Sequence, residues 1–195
     1  CNGIRMIMPS IDLEIADCDI LGPGQFEHIT SQRTRSENAI NIEPGAWGKA
    51  PGHLDRIFIR RCSIRSVLSP LCVTIGDDNS CGKIVVEDMT ARDVTRMALS
   101  VKSWGEAPTD KVILRNCDLE FEGIDDPSLP TWFDDKPTSV WPVFPCWGMF
   151  FRNVRVVKVH NVTLRVKGGE YRKAYMCQNV DEENLAKGAS VVKAR

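Results

Sequence analysis

A pattern of apolar residues that occurs five times along the chain most constrains how it can fold. In residues 109–120 the pattern consists of Val112, Leu114, Cys117 and Leu119, spaced by two, three and two residues. Alternating apolar and polar residues are typical of β-strands, and the recurrence of one pattern indicates a stack of similar repeats. The other four copies are Leu13, Ile15, Cys18, Ile20; Ile57, Ile59, Cys62, Ile64; Ile84, Val86, Met89, Ala91; and Val157, Val159, Val162, Leu164.

The three-residue gap in each copy predicts a corner between two short strands. Asp or Asn precedes the third apolar position in four copies, and Arg61 precedes it in the remaining one. Asn and Asp favour turns, so we expect these side chains to hydrogen-bond the backbone of the neighbouring coil. The predicted fold is all-β, a right-handed, single-stranded parallel β-helix. Its coils stack about 4.8 Å apart, which predicts an interior ladder of Cys18, Cys62, Met89, Cys117 and Val162.

Composition limits the partners of such a protein. The chain has 195 residues and a net charge of -1, with an isoelectric point near 6.4. Nucleic-acid-binding domains are usually basic, so we expect no nucleic-acid partner. No apolar run approaches the roughly 20 residues of a membrane helix, so we expect no membrane partner either. The length predicts one domain, and because the sequence opens inside a repeat, we expect further coils before Cys1.

Eight cysteines are compatible with disulfides. However, Cys18, Cys62, Cys72 and Cys117 occupy inward or near-inward strand positions, where a free cysteine packs as a small apolar residue. We therefore predict mostly reduced core cysteines. No Cys-x-x-Cys pair or Cys/His spacing resembles a metal site, and no cofactor is expected.

A second short strand precedes each copy of the pattern. Its residues alternate, so one set faces the interior and the other faces outward. The outward set is polar and aromatic, which suits a sugar, although a plain solvated sheet face is equally compatible. The predicted outward residues are Arg5, Asn41, Thr74, Ser100, Phe150 and Tyr175, followed one step along by Glu43, Lys102 and Arg152.

Long insertions separate some of the strands. They cover residues 22–37, residues 43–53 with Trp47, and residues 123–147. Loops of this length are often functional, and we expect them to form the walls of a groove beside the outward strand face. The tail, residues 181–195, is predicted to be weakly helical or disordered.

The second strands also resemble motifs of the family 28 glycoside hydrolases, the polygalacturonase family. The resemblance is one of pattern over nearly the whole chain. It lies in residues 1–4, 36–40, 70–76, 98–103 and 145–154. It implies a pectin-lyase-like β-helix that hydrolyses a pectin-like or other acidic poly- or oligosaccharide, and an extracellular or periplasmic location.

The motifs depart from the family at most of its catalytic positions. Inverting hydrolysis needs an acid and a carboxylate base roughly 6.5–9.5 Å apart. The resemblance assigns the acid to Glu37, but both base positions are amides, which cannot accept the proton. The histidine of the family is replaced by a leucine and its arginine by a serine. In this sequence the substituted positions are Asn2, Asn38, Leu71 and Ser100, while Lys102 is retained.

Three functions remain open at this point. The first is hydrolysis, with Glu37 and Lys102 as catalytic residues and Glu43, Asp77 or Asp78 as a replacement base. Asp77 and Asp78 fit a simple turn better. The second is a lyase in which Lys102 abstracts a proton, and the third is a β-helix that binds glycans or serves a structural role without catalysis.

The expected sugar-binding residues are aromatic, cationic and polar. Trp47 and Trp104 would stack on sugar rings, or would cap the ends of the core instead. Lys102 and Arg5 would meet a uronate carboxylate. The complete predicted set is Arg5, Asn41, Trp47, Thr74, Trp104 and Arg152.

Overall fold

The computed structural model describes residues 2–22, 36–46, 48–127 and 144–194. This part of the chain is all-β and contains a single short helix, α1 (Leu185–Gly188). The first strands are β1 (Ile4–Met6), β2 (Glu14–Ala16), β3 (Asp19–Leu21), β4 (Ser36–Ile42), β5 (Gly52–Leu54), β6 (Ile57–Arg60), β7 (Ser63–Arg65) and β8 (Val67–Ile75). The remaining strands are β9 (Asn79–Glu87), β10 (Thr90–Val94), β11 (Leu99–Ser103), β12 (Thr109–Glu122), β13 (Cys146–Lys167), β14 (Lys173–Glu183) and β15 (Ala189–Ala194).

These strands form one curled sheet in which every described pairing is parallel. The pairs fall into three groups, which we call stacks A, B and C. Stack A contains β1, β4, β8, β11, the start of β13 and β14. Stack B contains β2, β5, β6, β9, the first half of β12, the middle of β13 and the end of β14. Stack C contains β3, β7, β10, the ends of β12 and β13, and β15.

The five copies of the apolar pattern pair in the predicted register. Ile15, Ile59, Val86, Leu114 and Val159 are successive partners across stack B, and all five are buried. The predicted interior ladder is also confirmed. Its members Cys62, Met89, Cys117 and Val162 are buried, and Cys18 packs against the same core while half-buried. The core is therefore built from equivalent apolar residues of successive repeats, which lie next to one another.

Each corner between stacks B and C turns through a residue in the left-handed region. The φ angles there are 55° at Asp17, 52° at Arg61, Asp88 and Asn116, and 51° at Asn161. Asn and Asp adopt this conformation more readily than other non-glycine residues. The three-residue gap in the pattern is the length of this turn, as predicted.

The side chains at these corners bond one another. Asn116 Nδ2 donates to Asp88 Oδ1 at 3.2 Å, and Asn161 Nδ2 donates to Asn116 Oδ1 at 3.0 Å. Arg61 donates to both carboxylate oxygens of Asp17, at 2.6 and 2.8 Å, and holds the pKa of Asp17 below its ordinary value. The prediction that these side chains bond the neighbouring backbone is wrong, because each one faces its equivalent in the next repeat.

The tail, residues 181–195, was predicted to be weakly helical or disordered, but besides α1 its described part contains the end of β14 and β15, which form a sixth, degenerate copy of the pattern. Leu185 is buried in the core, and β15 pairs with β13. Asn184 Oδ1 accepts from the Val159 N–H at 2.6 Å, and its Nδ2 donates to the Val159 carbonyl at 3.0 Å. The amide of Asn184 thus extends the sheet. The copy is hard to recognise because Glu183 takes an apolar position and α1 widens the gap.

A buried ion pair ties together the ends of the connection between β12 and β13. The side chains of Glu170 and Arg172 are each 2% exposed. Glu170 Oε2 accepts from the Ile124 N–H at 3.2 Å, and Arg172 Nη1 donates to the Phe144 carbonyl at 3.2 Å. The pair therefore fixes the backbone at both ends of the connection, at Ile124 after β12 and at Phe144 before β13. The middle of the predicted insertion, like residues 23–35, lies outside the described residues.

The seven described cysteines are free. Burial raises the pKa of the Cys81 and Cys177 thiols to about 12 and that of Cys117 to about 11. The buried cysteines thus behave as small apolar residues, as predicted. Cys72 was predicted to face the core as well, but that prediction is wrong, because Cys72 is only half-buried and pairs with Asn41 and Ser100.

Candidate functional site

The outward side of stack A carries most of the predicted site residues. The partners aligned across this face are Arg5, Asn41, Cys72, Ser100 and Phe150. The sequence predicted Thr74 in this row, but Thr74 pairs with Lys102 one step further along, and Lys102 pairs with Arg152. The prediction was wrong because Leu71, Val73 and Ile75 are all apolar at alternate positions, which allows two registers.

The register also decides where Leu71 and Tyr175 lie. Leu71 is fully buried in the core, so the position of the family's histidine does not reach the outward face. Tyr175 pairs with Met149 and packs against the core, while Met176 packs against the outward side. Tyr175 was predicted to face outward, and that prediction is wrong.

Two phenylalanine rings cover the centre of the outward face. Phe144 and Phe150 stack with their centroids 5.3 Å apart and an interplanar angle of 24°. They belong to a second apolar cluster with Met97, Ala98 and Cys146. Ser100 is 0% exposed and Lys102 is 5% exposed. Asn41 at 4% and Phe150 at 0% exposure are buried as well, so the prediction that these four residues meet solvent is wrong. Phe144 stacks on Phe150 and lies against the Lys102 amine.

Asn2 and Asn38 come together as an amide pair. Asn2 Oδ1 accepts from the Asn38 backbone N–H at 3.1 Å and from Asn38 Nδ2 at 3.0 Å. Asn38 is 3% exposed, and its Oδ1 has no hydrogen-bond partner. Strand alternation places Asn38 on the inward side of β4 and Glu37, which is half-buried, on the opposite side. Glu37 and Asn38 therefore do not face one common site.

Glu43 accepts hydrogen bonds from two outward residues of stack A, Arg5 and Asn41. Its Oε2 accepts from Arg5 Nη2 at 3.2 Å and from Asn41 Nδ2 at 3.3 Å. The positive charge of Arg5 is thereby compensated within the protein.

Trp104 and Arg152 form the second cluster on this side. The guanidinium carbon of Arg152 lies 4.3 Å from the centre of the Trp104 ring, and Arg152 Nη1 donates to Gln178 Oε1 at 3.0 Å. Both residues are half-buried. The structure therefore brings an aromatic plane and a cation together. Trp47, the other predicted stacking residue, lies outside the described residues.

A pocket of about 400 Å³ opens between the loops that follow β4 and β8. Asp77 and Asp78 form the turn at its edge, where the Asn79 N–H bonds the Gly76 carbonyl at 3.1 Å. Gly105, next to Trp104, lies so close to this turn that an added Cβ would be 3.0 Å from the Asp77 Cα. The sequence predicted the turn but missed the pocket, which depends on contacts between distant loops. Its lining is Pro44, Gly45, Gly48, Lys49, Ala50, Gly76, Asp77, Asp78 and Asn79.

The described residues contain no group of three or more His, Cys, Asp or Glu side chains placed to hold a metal ion. In the same part of the chain, no helix has the length and apolar character needed to cross a membrane. Comparison with known proteins found no matching family model, no matching curated protein and no matching solved structure.

Proposed function

We propose that the curled sheet is a right-handed, single-stranded parallel β-helix of the pectin-lyase-like kind. The three stacks support this proposal, because each strand pairs with the equivalent strand of the next repeat. The left-handed corners at equivalent positions also support it. Six copies of one pattern provide the apolar surface that a single repeat cannot bury alone.

We propose further that the chain binds an acidic poly- or oligosaccharide on the outward side of stack A and does not hydrolyse it. The observation that carries this proposal is the Arg152–Trp104 pair, with 4.3 Å between guanidinium and ring. An indole ring offers an apolar plane to the C–H face of a sugar. A guanidinium binds a carboxylate through two parallel hydrogen bonds. The pair thus provides both contacts that a uronate residue requires.

The neighbouring pocket gives the sugar chain somewhere to extend. It is joined to Trp104 through the close contact between Gly105 and Asp77. Its volume of about 400 Å³ lies within the roughly 300–1,000 Å³ that is usual for small-molecule sites. Lys49 on its wall adds a second cation, so an acidic ligand can meet positive charge at two points.

The absence of hydrolysis follows from the residues that replace the family's catalytic groups. The amides of Asn2 and Asn38 bond each other and cannot act as a general base. Lys102 lies beneath Phe144. The hydrolase alternative rests on Glu37 together with Glu43, which already accepts hydrogen bonds from Arg5 and Asn41.

Calorimetric titration with oligogalacturonate tests the binding proposal. Trp104→Ala and Arg152→Gln should each weaken binding at least about tenfold, or roughly 1.4 kcal/mol. Arg155→Gln is the matched control, because Arg155 is an exposed arginine paired with Asp110 and lies in another stack. Equal affinity in all variants, or equal affinity for a neutral glucan, would contradict the proposal.

A reducing-end assay on polygalacturonate tests the hydrolase alternative. We expect no turnover above that of a buffer blank. Turnover that Glu37→Gln abolishes would establish the alternative, and turnover that survives this change would direct attention to Asp77 and Asp78.

A further inference from the structure

The Lys102 amine is buried beside a sulfur atom. Its Nζ donates a hydrogen bond to Cys72 Sγ at 3.3 Å and lies 5.1 Å from the centre of the Phe144 ring. Within the described residues, no carboxylate forms a salt bridge with Lys102. Lysine is almost never this deeply buried without such a partner. The thiol of Cys72 is thus its one hydrogen-bond acceptor in this part of the chain.

A hydroxyl group without a partner adjoins this contact. Ser100 pairs with Cys72 across β8 and β11, is 0% exposed, and has no hydrogen-bond partner for its Oγ. Cys72 itself is only partly buried, and its Sγ lies 3.7 Å from Thr74 Oγ1. The partly exposed thiol of Cys72 therefore lies next to the buried amine of Lys102 and the unsatisfied hydroxyl of Ser100.

We infer that Cys72 is an oxidation site whose sulfenic acid is captured by Lys102 as a covalent sulfur–nitrogen cross-link. Hydrogen peroxide transfers one oxygen to the thiol, giving the sulfenic acid and water. The ammonium group of Lys102 first releases one proton to solvent. The neutral amine then attacks Sγ, so that the S–N bond forms while the S–O bond breaks, and the hydroxide leaves as water with a second proton from the nitrogen. Sulfenic acids condense with a backbone nitrogen to a sulfenamide, and here the lysine amine takes the place of that nitrogen.

The geometry favours Lys102 as the trap. Its Nζ is already 3.3 Å from the sulfur, and the pairing of β8 with β11 fixes the two backbones. Lys102 is held at this distance before oxidation, so it reaches the sulfenic acid ahead of nucleophiles that must diffuse in from solvent. The Ser100 hydroxyl can donate to the oxygen of the sulfenic acid and assist its departure.

Other cysteines are less suited to this reaction. Burial raises the pKa of Cys81 and Cys177 to about 12, which leaves little of the thiolate that peroxide attacks. Cys18 is partly exposed, but its sulfur bonds the Ala16 carbonyl at 3.2 Å and has no lysine beside it among the described contacts. Cys18 is therefore the matched control.

Peptide mapping by mass spectrometry tests the inference. The protein is treated with hydrogen peroxide and digested with trypsin without reductant. We expect a cross-linked peptide that joins Cys72 to Lys102, lighter by two hydrogen atoms than the two reduced peptides together, uncut after Lys102 and separated by a thiol reductant. Sulfinic or sulfonic acid at Cys72 with an unmodified Lys102 would overturn the inference. A cross-link that retains an oxygen atom would overturn it as well.

Variants separate the roles of the two residues. Cys72→Ser should abolish the cross-link, whereas Cys18→Ser should leave it unchanged. Lys102→Met should leave a sulfenic acid at Cys72 that a 1,3-dione probe labels. Should Lys102→Met fail to fold by circular dichroism, the peptide map of the unaltered protein still decides. A cross-link at Lys102 that persists in Cys72→Ser would refute the assignment.

Discussion

Glu170 and Arg172 form a buried two-point ion pair, with Arg172 Nε 2.9 Å from Glu170 Oε1 and Nη2 2.6 Å from Oε2. The pair lies two residues apart in the chain, yet it also bonds Ile124 and Phe144 at the two ends of a long connection. It therefore anchors this connection to the sheet. Phe144, whose carbonyl it binds, is the residue that covers Lys102.

Removing one partner of this pair should destabilise the protein strongly. Arg172→Ala leaves the Glu170 carboxylate buried without its cation, so the free energy of unfolding should fall by about 3–5 kcal/mol. Urea denaturation measures it. The control, Arg155→Ala, breaks a pair whose side chains are 59% and 61% exposed and should cost about 0–1 kcal/mol. Equal losses in the two variants would contradict the anchoring role.

The corner ladder should reject β-branched residues. Asn116 has a φ of 52°, a conformation that costs other L-residues roughly 1–2 kcal/mol and is worst for valine. Asn116→Val should therefore lower the free energy of unfolding by more than Asn116→Gly. Both variants lose the hydrogen bonds to Asp88 and Asn161, so these bonds do not contribute to the difference between them. A more stable valine variant in thermal unfolding would refute this explanation.

Alkaline pH should weaken the fold through the buried thiols. Folding raises the pKa of Cys81 to about 12 and of Cys117 to about 11. Below their ordinary pKa of 9.0 both states keep the proton and stability is complete. Above it the unfolded chain loses its protons first, so the free energy of unfolding falls until the pH passes the raised values. The double variant Cys81→Ala/Cys117→Ala should show a shallower decline in urea midpoint between about pH 8 and about pH 11; an unchanged slope would exclude the thiols.

Introducing a carboxylate at Asn38 should lower the stability of the protein and should not produce hydrolysis. In Asn38→Asp the group that donates to Asn2 Oδ1 at 3.0 Å becomes an acceptor, at a position that is 3% exposed. The unsatisfied buried group should cost at least about 1–3 kcal/mol. Asn2 is only half-buried, so Asn2→Asp is the variant with which the stability of Asn38→Asp is compared. Hydrolysis in a fully stable Asn38→Asp variant would contradict the proposed function.

The strand register of stack B was predictable because the interior selects it position by position, whereas alternating apolar residues on both sides left the register of stack A open. Ile57, Ile84 and Val112 repeat at equivalent points, and the turn-forming residues at the corners mark where each repeat bends. The sixth copy was missed because the carboxylate of Glu183 breaks the apolar pattern. The Asn184 side chain compensates by bonding the Val159 backbone. A pattern of apolar residues does not reveal such a contact.

The site was less predictable because its surroundings come from distant parts of the chain. Alternation gives the direction of Ser100 and Lys102 correctly, outward from β11. It cannot reveal that Phe144 lies over them, since that contact depends on how a long connection returns to the sheet. Cys72, which meets Lys102, was assigned to the core from its apolar neighbours.

The matched register of Ile57, Ile84 and Val112 has a consequence for the length of the protein. Residues 84–111 begin and end at equivalent points of the sheet, with the same kind of neighbour on either side. A tandem duplication of this segment would insert a complete layer whose upper and lower surfaces already fit. Duplication could therefore lengthen the protein by whole repeats that pack as the existing ones do. Each added repeat would carry another outward strand, whose side chains could then change.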